Sequence, residues 1–371
     1  MIRIKIDLLL ISIMLTILLA SCSSATSEVN SFPVMETSPT SEVLIASDIG
    51  APREQAADID DAPGALHWNN SSDSSNAIVI GDSLYFGGID YSGVGLVFCR
   101  YDLVTDRLTR LQEESLYSYV NYSNGSLFGA RVGLDSEYSP FFKLDGDTAA
   151  PVEAIWDDSN FRSHYTVYSD YVYCIEMNSE ADSDANIGEP ASTLLRHSLS
   201  AGSDEIIAVG NISWFSIVDG YIYHDDHEAS TDKEGLLVRR SIRNIKAAES
   251  IQLASHSGSV IFYKDKIYSY ESAGDGRSKI YEVSWSSSKS ELSDIDISII
   301  RFAPFKNYLY YMSYDSLYRL SLDNLESELM AVDVSVFYAF DDYVFYKTKG
   351  ENSESCYIAN EDGIWHNFEL S

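Results

Sequence analysis

From residue 77 onward, short apolar or aromatic runs meet tight polar turns, and one arrangement of the two recurs seven times. The copies are GDSLYF at 81–86, NGSLFG at 124–129, SDYVYC at 169–174, DGYIYH at 219–224, KDKIYS at 264–269, KNYLYY at 306–311 and DDYVFY at 341–346. Their second position is always Asp, Gly or Asn, and their fourth is Leu, Val or Ile. Their fifth is aromatic throughout: Tyr85, Phe128, Tyr173, Tyr223, Tyr268, Tyr310 and Phe345. A two-residue turn between antiparallel strands needs positive φ, which Gly, Asn and Asp adopt at least cost. The β-branched and aromatic residues that follow suit a strand covered on both faces. Each copy therefore predicts a hairpin with a buried second strand.

Most copies are followed by a third apolar segment, such as LVFCRYDL at 96–103 or LYRLSL at 317–322, and generally by a fourth. The copies are spaced by 43, 45, 50, 45, 42 and 35 residues. Four-stranded propeller blades run about 40–45 residues. No region carries an apolar period of 3.6 residues over three turns. The pattern thus predicts an all-β propeller of seven four-stranded blades over residues 65–371. A pair of β-sandwiches is the competing arrangement, but it does not require seven equivalent units. Closure is open at this level: the last blade ends either on its own strand, IWHNFEL at 364–370, or on residues 65–70.

The first residues follow another rule. Arg3 and Lys5 precede an uncharged run, Leu8 to Ala20, that is short for a membrane span and suits the apolar region of a signal peptide. Leu19-Ala20-Ser21-Cys22 resembles the lipobox of bacterial lipoproteins. The resemblance implies a signal peptide over 1–21, cleavage before Cys22, and a diacylglyceryl group on its thiol. Residues 22–64 are then the lipidated cysteine and a Ser-, Pro- and acid-rich tether, expected to be disordered and to span on the order of 35 Å. The membrane is a partner through that lipid, and the location implied is the bacterial cell envelope with the propeller extracytoplasmic.

A further resemblance lies in the sixth repeat, where Leu309-Tyr310-Tyr311-Met312 and Leu317-Tyr318-Arg319-Leu320-Ser321-Leu322-Asp323 are similar to the Tyr-Trp-Thr-Asp repeat of low-density-lipoprotein-receptor-type propellers. The whole chain resembles bacterial lipoproteins with a receptor-like propeller domain of unknown function. The Trp-Thr-Asp part is missing, however, and receptor propellers have six blades rather than seven.

Charge and chemistry narrow the function further. With 25 basic and 57 acidic side chains, the formal net charge of −32 argues against nucleic acid as a partner. Beyond Cys22 the cysteines are Cys99, Cys174 and Cys356, an odd number that allows at most one bridge. Cys99 and Cys356 fall on third strands of blades one and seven, which neighbour each other in a closed ring. Their registers differ by one residue, so they are expected on opposite faces, and all three read as small buried hydrophobes.

The chain holds no G-x-S-x-G, no phosphate-binding loop, no H-E-x-x-H and no C-x-x-C. The expected innermost strands, such as AIVI at 77–80 and TVYS at 166–169, are uncharged; near them only His164, Arg301 and Asp333 could reach a funnel mouth. No catalytic residue, metal ligand or cofactor is singled out, which weighs against an enzyme. His224-Asp225-Asp226-His227-Glu228 offers metal-ligating side chains but lacks a calcium loop's spacing, and reads as a solvated loop.

Strand-two-to-three loops in blades three and four carry Glu176, Glu180, Asp182, Asp184, Glu189, Asp225, Asp226, Glu228, Asp232 and Glu234 against Lys233 alone. They form a candidate acidic rim on one face of the ring, suited to a cationic ligand. The function expected is a monomeric, non-enzymatic binding or scaffolding module for a protein or glycan. A glycan-active envelope enzyme and an envelope-assembly accessory factor are the alternatives.

Overall fold

The computed structural model describes residues 76–370 apart from 91–94, 114–115, 133–139, 157–161, 178–191, 227–235, 253–259, 264–265, 273–275, 286–288, 296, 341, 351–352 and 361–362. The expected signal peptide, Cys22 and the tether lie outside the described residues.

Blade one is β1 to β4 (Ala77–Ile80, Ser83–Asp90, Gly95–Asp102, Arg107–Glu113), and blade two β5 to β8 (Leu116–Ser123, Ser126–Val132, Phe141–Leu144, Pro151–Trp156). Blade three is β9 to β12 (Arg162–Tyr168, Tyr171–Met177, Ser192–Ser198, Ser203–Gly210), and blade four β13 to β16 (Phe215–Val218, Tyr221–Asp226, Leu236–Ser241, Asn244–Gln252). Blade five is β17 to β20 (Val260–Tyr263, Lys266–Ser272, Ser278–Val283, Lys289–Ile295), and blade six β21 to β24 (Arg301–Phe305, Tyr308–Ser313, Ser316–Ser321, Ser327–Ala331). Blade seven is β25 to β28 (Val334–Ala339, Val344–Lys349, Glu354–Asn360, Gly363–Leu370). Each blade is a four-stranded antiparallel sheet whose strands pair in chain order, and the described residues contain no helix. The seven blades expected from the repeat are present.

The hairpin turns explain the repeat. Gly81 (φ 56), Asn124 (49), Ser169 (56), Asp219 (49) and Lys306 (54) each occupy the first turn position with positive φ, and Gly125 and Gly220 (both 74) hold the second. First strands of successive blades touch one another between blades one, two and three and between blades five, six and seven, which puts them around the central axis. Fourth strands such as β8 and β24 are mostly exposed and form the outer wall.

A third-strand arginine accounts for the basic position of the sixth repeat. Arg319 lies over the Tyr308 ring at 4.6 Å and reaches Glu328 at 2.8 Å. Arg196 does the same with Tyr171 (4.5 Å) and Glu205 (2.6 Å), and Arg239 with Tyr221 (5.1 Å) and Glu249 (2.6 Å). Cross-strand ladders of this kind tie the second, third and fourth strands of one blade together. The motif is thus structural.

The core consists of seven clusters, one between each pair of adjacent blades. Strand alternation divides each blade between two of them. In β3, Val97, Cys99 and Tyr101 face blade seven while Phe98 faces blade two. The cluster between blades one and seven closes the ring, and β28 belongs wholly to blade seven. Among the described residues no strand is exchanged between the first and last blades, so closure rests on side-chain contacts across the seam.

This arrangement revises the expectation for the cysteines. All three are buried, and none forms a disulfide. Cys99 and Cys356 do occupy opposite faces of their own blades, yet neighbouring blades stack front to back. Opposite faces are the ones that meet, and both thiols lie in the closing cluster. Burial pushes the Cys356 thiol well above its usual range.

At that seam blade seven also supplies charge. β2 is longer than β1, so Gly87 O and Ile89 N run past their inner neighbour. Lys347 Nζ donates to Gly87 O at 3.2 Å and to Glu354 Oε2 at 3.1 Å, and Ile89 N donates to the same Oε2 at 3.1 Å. The two side chains are only 10% and 5% exposed. A Cβ on Gly88 would stand 2.4 Å from Leu370 Cδ1, so only glycine lets the blades approach here.

Candidate functional site

The acidic rim divides in the structure. Glu176, at the end of β10, is held by Arg162, whose Nε and Nη2 lie 2.8 and 2.7 Å from its Oε2. Asp225 is buried, and its Oδ1 accepts from Ser213 N (2.8 Å) and Trp214 N (3.1 Å) while Oδ2 accepts from Ser213 Oγ. It holds the chain entering blade four. Asp226 is half-buried beside Gly210. The other seven rim residues, Glu180, Asp182, Asp184, Glu189, Glu228, Asp232 and Glu234, lie outside the described residues.

The segment 224–226, expected as a solvated loop, is strand. His224 is buried with Nδ1 2.8 Å from Asp225 O and Nε2 3.3 Å from Arg240 Nε. Nδ1 thus donates and Nε2 accepts, the pattern of a neutral imidazole. Burial pushes its pKa below the histidine range. Among the described residues no cluster of His, Cys, Asp and Glu is arranged to hold a metal.

The expected funnel residues serve local roles. Arg301 lies over the Tyr338 ring at 4.9 Å, His164 Nδ1 is 2.9 Å from Ser163 Oγ, and Asp333 takes positive φ between β24 and β25. The inner strand of blade three begins earlier than expected, at Arg162, and so contains a buried charge.

A cleft of about 670 Å³ opens instead at the seam between blades one and seven, on the face carrying the first-to-second strand turns. Blade one contributes Val79, Gly81, Asp82, Leu103 and Val104, and blade seven contributes Phe340, Asp342, Tyr343, Trp365 and His366. This is the opposite face from the second-to-third loops that carry the rim.

Trp365 owes its position to the register. A register irregularity between third and fourth strands recurs in all seven blades. In blade seven Ile358 pairs with His366 and Ala359 with Ile364, so Trp365 is the extra residue. Such a bulge re-aims side chains, and Trp365 lies against His366 with ring centroids 4.2 Å apart. Trp365 remains 52% exposed and Val104, across the cleft, 71%.

Beneath them lie half-buried His366 and buried Tyr343. His366 Nδ1 lies 2.5 Å from Asp106 Oδ1, which also accepts from Tyr101 OH at 2.9 Å. The other ring nitrogen, Nε2, is buried without a partner. Tyr343, 4% exposed, likewise carries a buried hydroxyl without a partner. Burial, then the carboxylates of Asp342 and Asp82, push the phenol well above its usual range, so it stays neutral. Buried polar atoms are nearly always paired, and unpaired ones call for an explanation. The described lining holds no Ser, Thr or Cys nucleophile. The arrangement suits recognition: an apolar floor, an exposed indole, and convergent acceptors.

No family model matches the chain, and no curated protein matches its sequence. Solved structures resemble it in fold. The acylaminoacyl peptidase of Pyrococcus horikoshii is 12% identical, with a TM-score of 0.53 over 83% of this chain and 52% of its own. One of two prolyl endopeptidases studied for inter-domain dynamics in catalysis and specificity is 11% identical, with a TM-score of 0.50 over 79% of this chain and 47% of its own. The chain spans about half the length of these peptidases. At such identities the likeness establishes the β-propeller architecture alone.

Proposed function

We propose that this chain is a non-enzymatic binding module, a β-propeller that presents a recognition cleft at the seam of its first and last blades. The observation that carries the reading is the pairing of two unsatisfied buried polar atoms, Tyr343 OH and His366 Nε2, with an exposed Trp365 in one cleft. Groups left unpaired by the protein are available to a ligand, and an exposed aromatic beside them supplies contact area. The lipobox Leu19-Ala20-Ser21-Cys22 supports an acylated lipoprotein of the bacterial envelope, with the propeller extracytoplasmic and a protein or glycan as ligand. Affinity capture from the native envelope tests the binding role. Wild-type chain should retain a partner that Trp365→Ala loses; equal retention by both places recognition elsewhere. Cys22→Ala should leave the membrane fraction after signal removal, and persistence there removes the anchor.

A further inference from the structure

Resting on that binding reading, the occupant of the cleft can be specified by its chemistry. The polar groups that converge there are acceptors. Asp82 and Asp342 are carboxylates, and both act on the Tyr343 hydroxyl. The Tyr343 oxygen can accept as well, and His366 Nε2 is also left unpaired. Among the described residues that line the cleft there is no Lys or Arg. Lys306, from blade six, places its Nζ 3.6 Å from Asp342 Oδ1 in an exposed pair. Such pairs are weak and exchange readily.

The aromatic groups add a second preference. Trp365 and Tyr343 stand with ring centroids 6.4 Å apart, and Phe340 lies 5.4 Å from Tyr343. Ring faces attract a cation, most strongly where carboxylates accompany them. The net charge of −32 raises the local concentration of cations around the whole molecule. Val104 remains exposed at the rim, 71%. That apolar margin extends beyond what a small ion covers and fits the flanking residues of a chain.

We infer that the cleft binds a basic side chain, an ammonium or guanidinium on an aliphatic stem, presented by a peptide segment of a protein partner. The cation donates N–H bonds to Asp82, Asp342 and Tyr343 OH and stacks against Trp365, while the stem lies on Phe340 and Leu103.

Titration calorimetry on the full chain tests this with acetylated, amidated pentapeptides carrying a central Lys or Arg between glycines. Matched peptides carry norleucine or citrulline instead, and spermidine and a neutral chitin oligosaccharide complete the set. The Lys or Arg peptide should bind, with at least about a tenfold loss in Trp365→Ala and again in Asp82→Asn. Norleucine and citrulline peptides should not bind. Binding that survives in both variants is general attraction to an acidic protein and overturns the assignment. Tighter binding of spermidine than of either peptide overturns the peptide source. Binding of the oligosaccharide, lost in Trp365→Ala, with no response to the cations overturns the ligand class while the cleft stands as a binding site. Silence from every probe at millimolar concentration overturns both.

Discussion

Removal of the Glu354 carboxylate tests how the ring is closed. In Glu354→Ala, Lys347 keeps only its 3.2 Å bond to Gly87 O, and its ammonium is left in a site with 10% side-chain exposure. Ile89 N loses its acceptor at the same time. Breaking a buried ion pair from one side costs about 3–5 kcal/mol, because the remaining charge is uncompensated. The double variant Lys347→Met/Glu354→Leu removes both charges and leaves only two backbone groups unpaired. At about 1 kcal/mol for each lost bond it should cost about 2 kcal/mol. The double variant is therefore expected to be more stable than the single one. Urea unfolding followed by fluorescence measures both; with an m-value of about 3 kcal/mol/M the single variant shifts the midpoint by about 1–1.7 M. Hydrogen exchange should rise first in β2 and β27, with blades three to five unchanged. A single-variant cost under about 1 kcal/mol, or a double variant no more stable than the single one, would refute the idea that this pair closes the ring.

Three further outcomes follow from named contacts. Gly88→Ala should cost about 1–3 kcal/mol by driving a Cβ into Leu370, and combining it with Leu370→Ala should cost less than the sum in denaturant titration. Asp225→Ala, which strips acceptors from Ser213 and Trp214, should lower stability by about 3 kcal/mol in the same measurement, whereas a purely surface carboxylate would change it by under 0.5 on the usual scale of about ±0.5. For His224 the folded pKa is depressed, so its contribution is fully present above about pH 6.5, where the unfolded histidine is also neutral. As pH falls below 6.5 the unfolded state takes the proton first, and stability drops by up to about 1.4 kcal/mol per unit until the folded value is reached. His224→Gln should remove that component from urea midpoints measured between pH 8 and 5, and an unchanged slope would place the acid sensitivity elsewhere.

The architecture was legible because each blade repeats one hairpin, and every copy must solve the same problem of positive φ followed by a doubly covered strand. The innermost strands, the aromatic fifth position and the blade count all follow from that. The site was not legible in the same way. Residues from the two ends of the propeller segment build it, Asp82 and Leu103 with Tyr343 and Trp365, and no local pattern joins them. The Trp365 bulge depends on pairing register, which the apolar pattern does not specify there. One signal was available. Two residues after each fifth-position aromatic come Gly87, Ala130, Ile175, Asp225, Tyr270, Met312 and Lys347. The two charged members of this column, Asp225 and Lys347, are both buried and both hold backbone atoms. A charge within an otherwise apolar column marked a structural bond, and for Asp225 the acidity of its neighbours pointed to the surface instead.

A ring joined by side-chain contacts, with no shared strand among the described residues, has two complementary end faces until the moment it shuts. Blade one offers Leu84, Phe86 and Cys99, and blade seven offers Phe345, Cys356 and Leu370, and these surfaces are unlike each other. Such a heterologous contact is satisfied within one chain or, equally well in its local geometry, between the last blade of one molecule and the first of the next. During synthesis the first blade emerges long before the seventh, so its closing face stays uncovered while neighbouring chains are also incomplete. The intramolecular route wins through effective concentration, since six packed blades already bring the two faces together. The same seam that forms the cleft is thus where an open chain can add to another and grow into a filament, and dilution during folding favours closure within one chain.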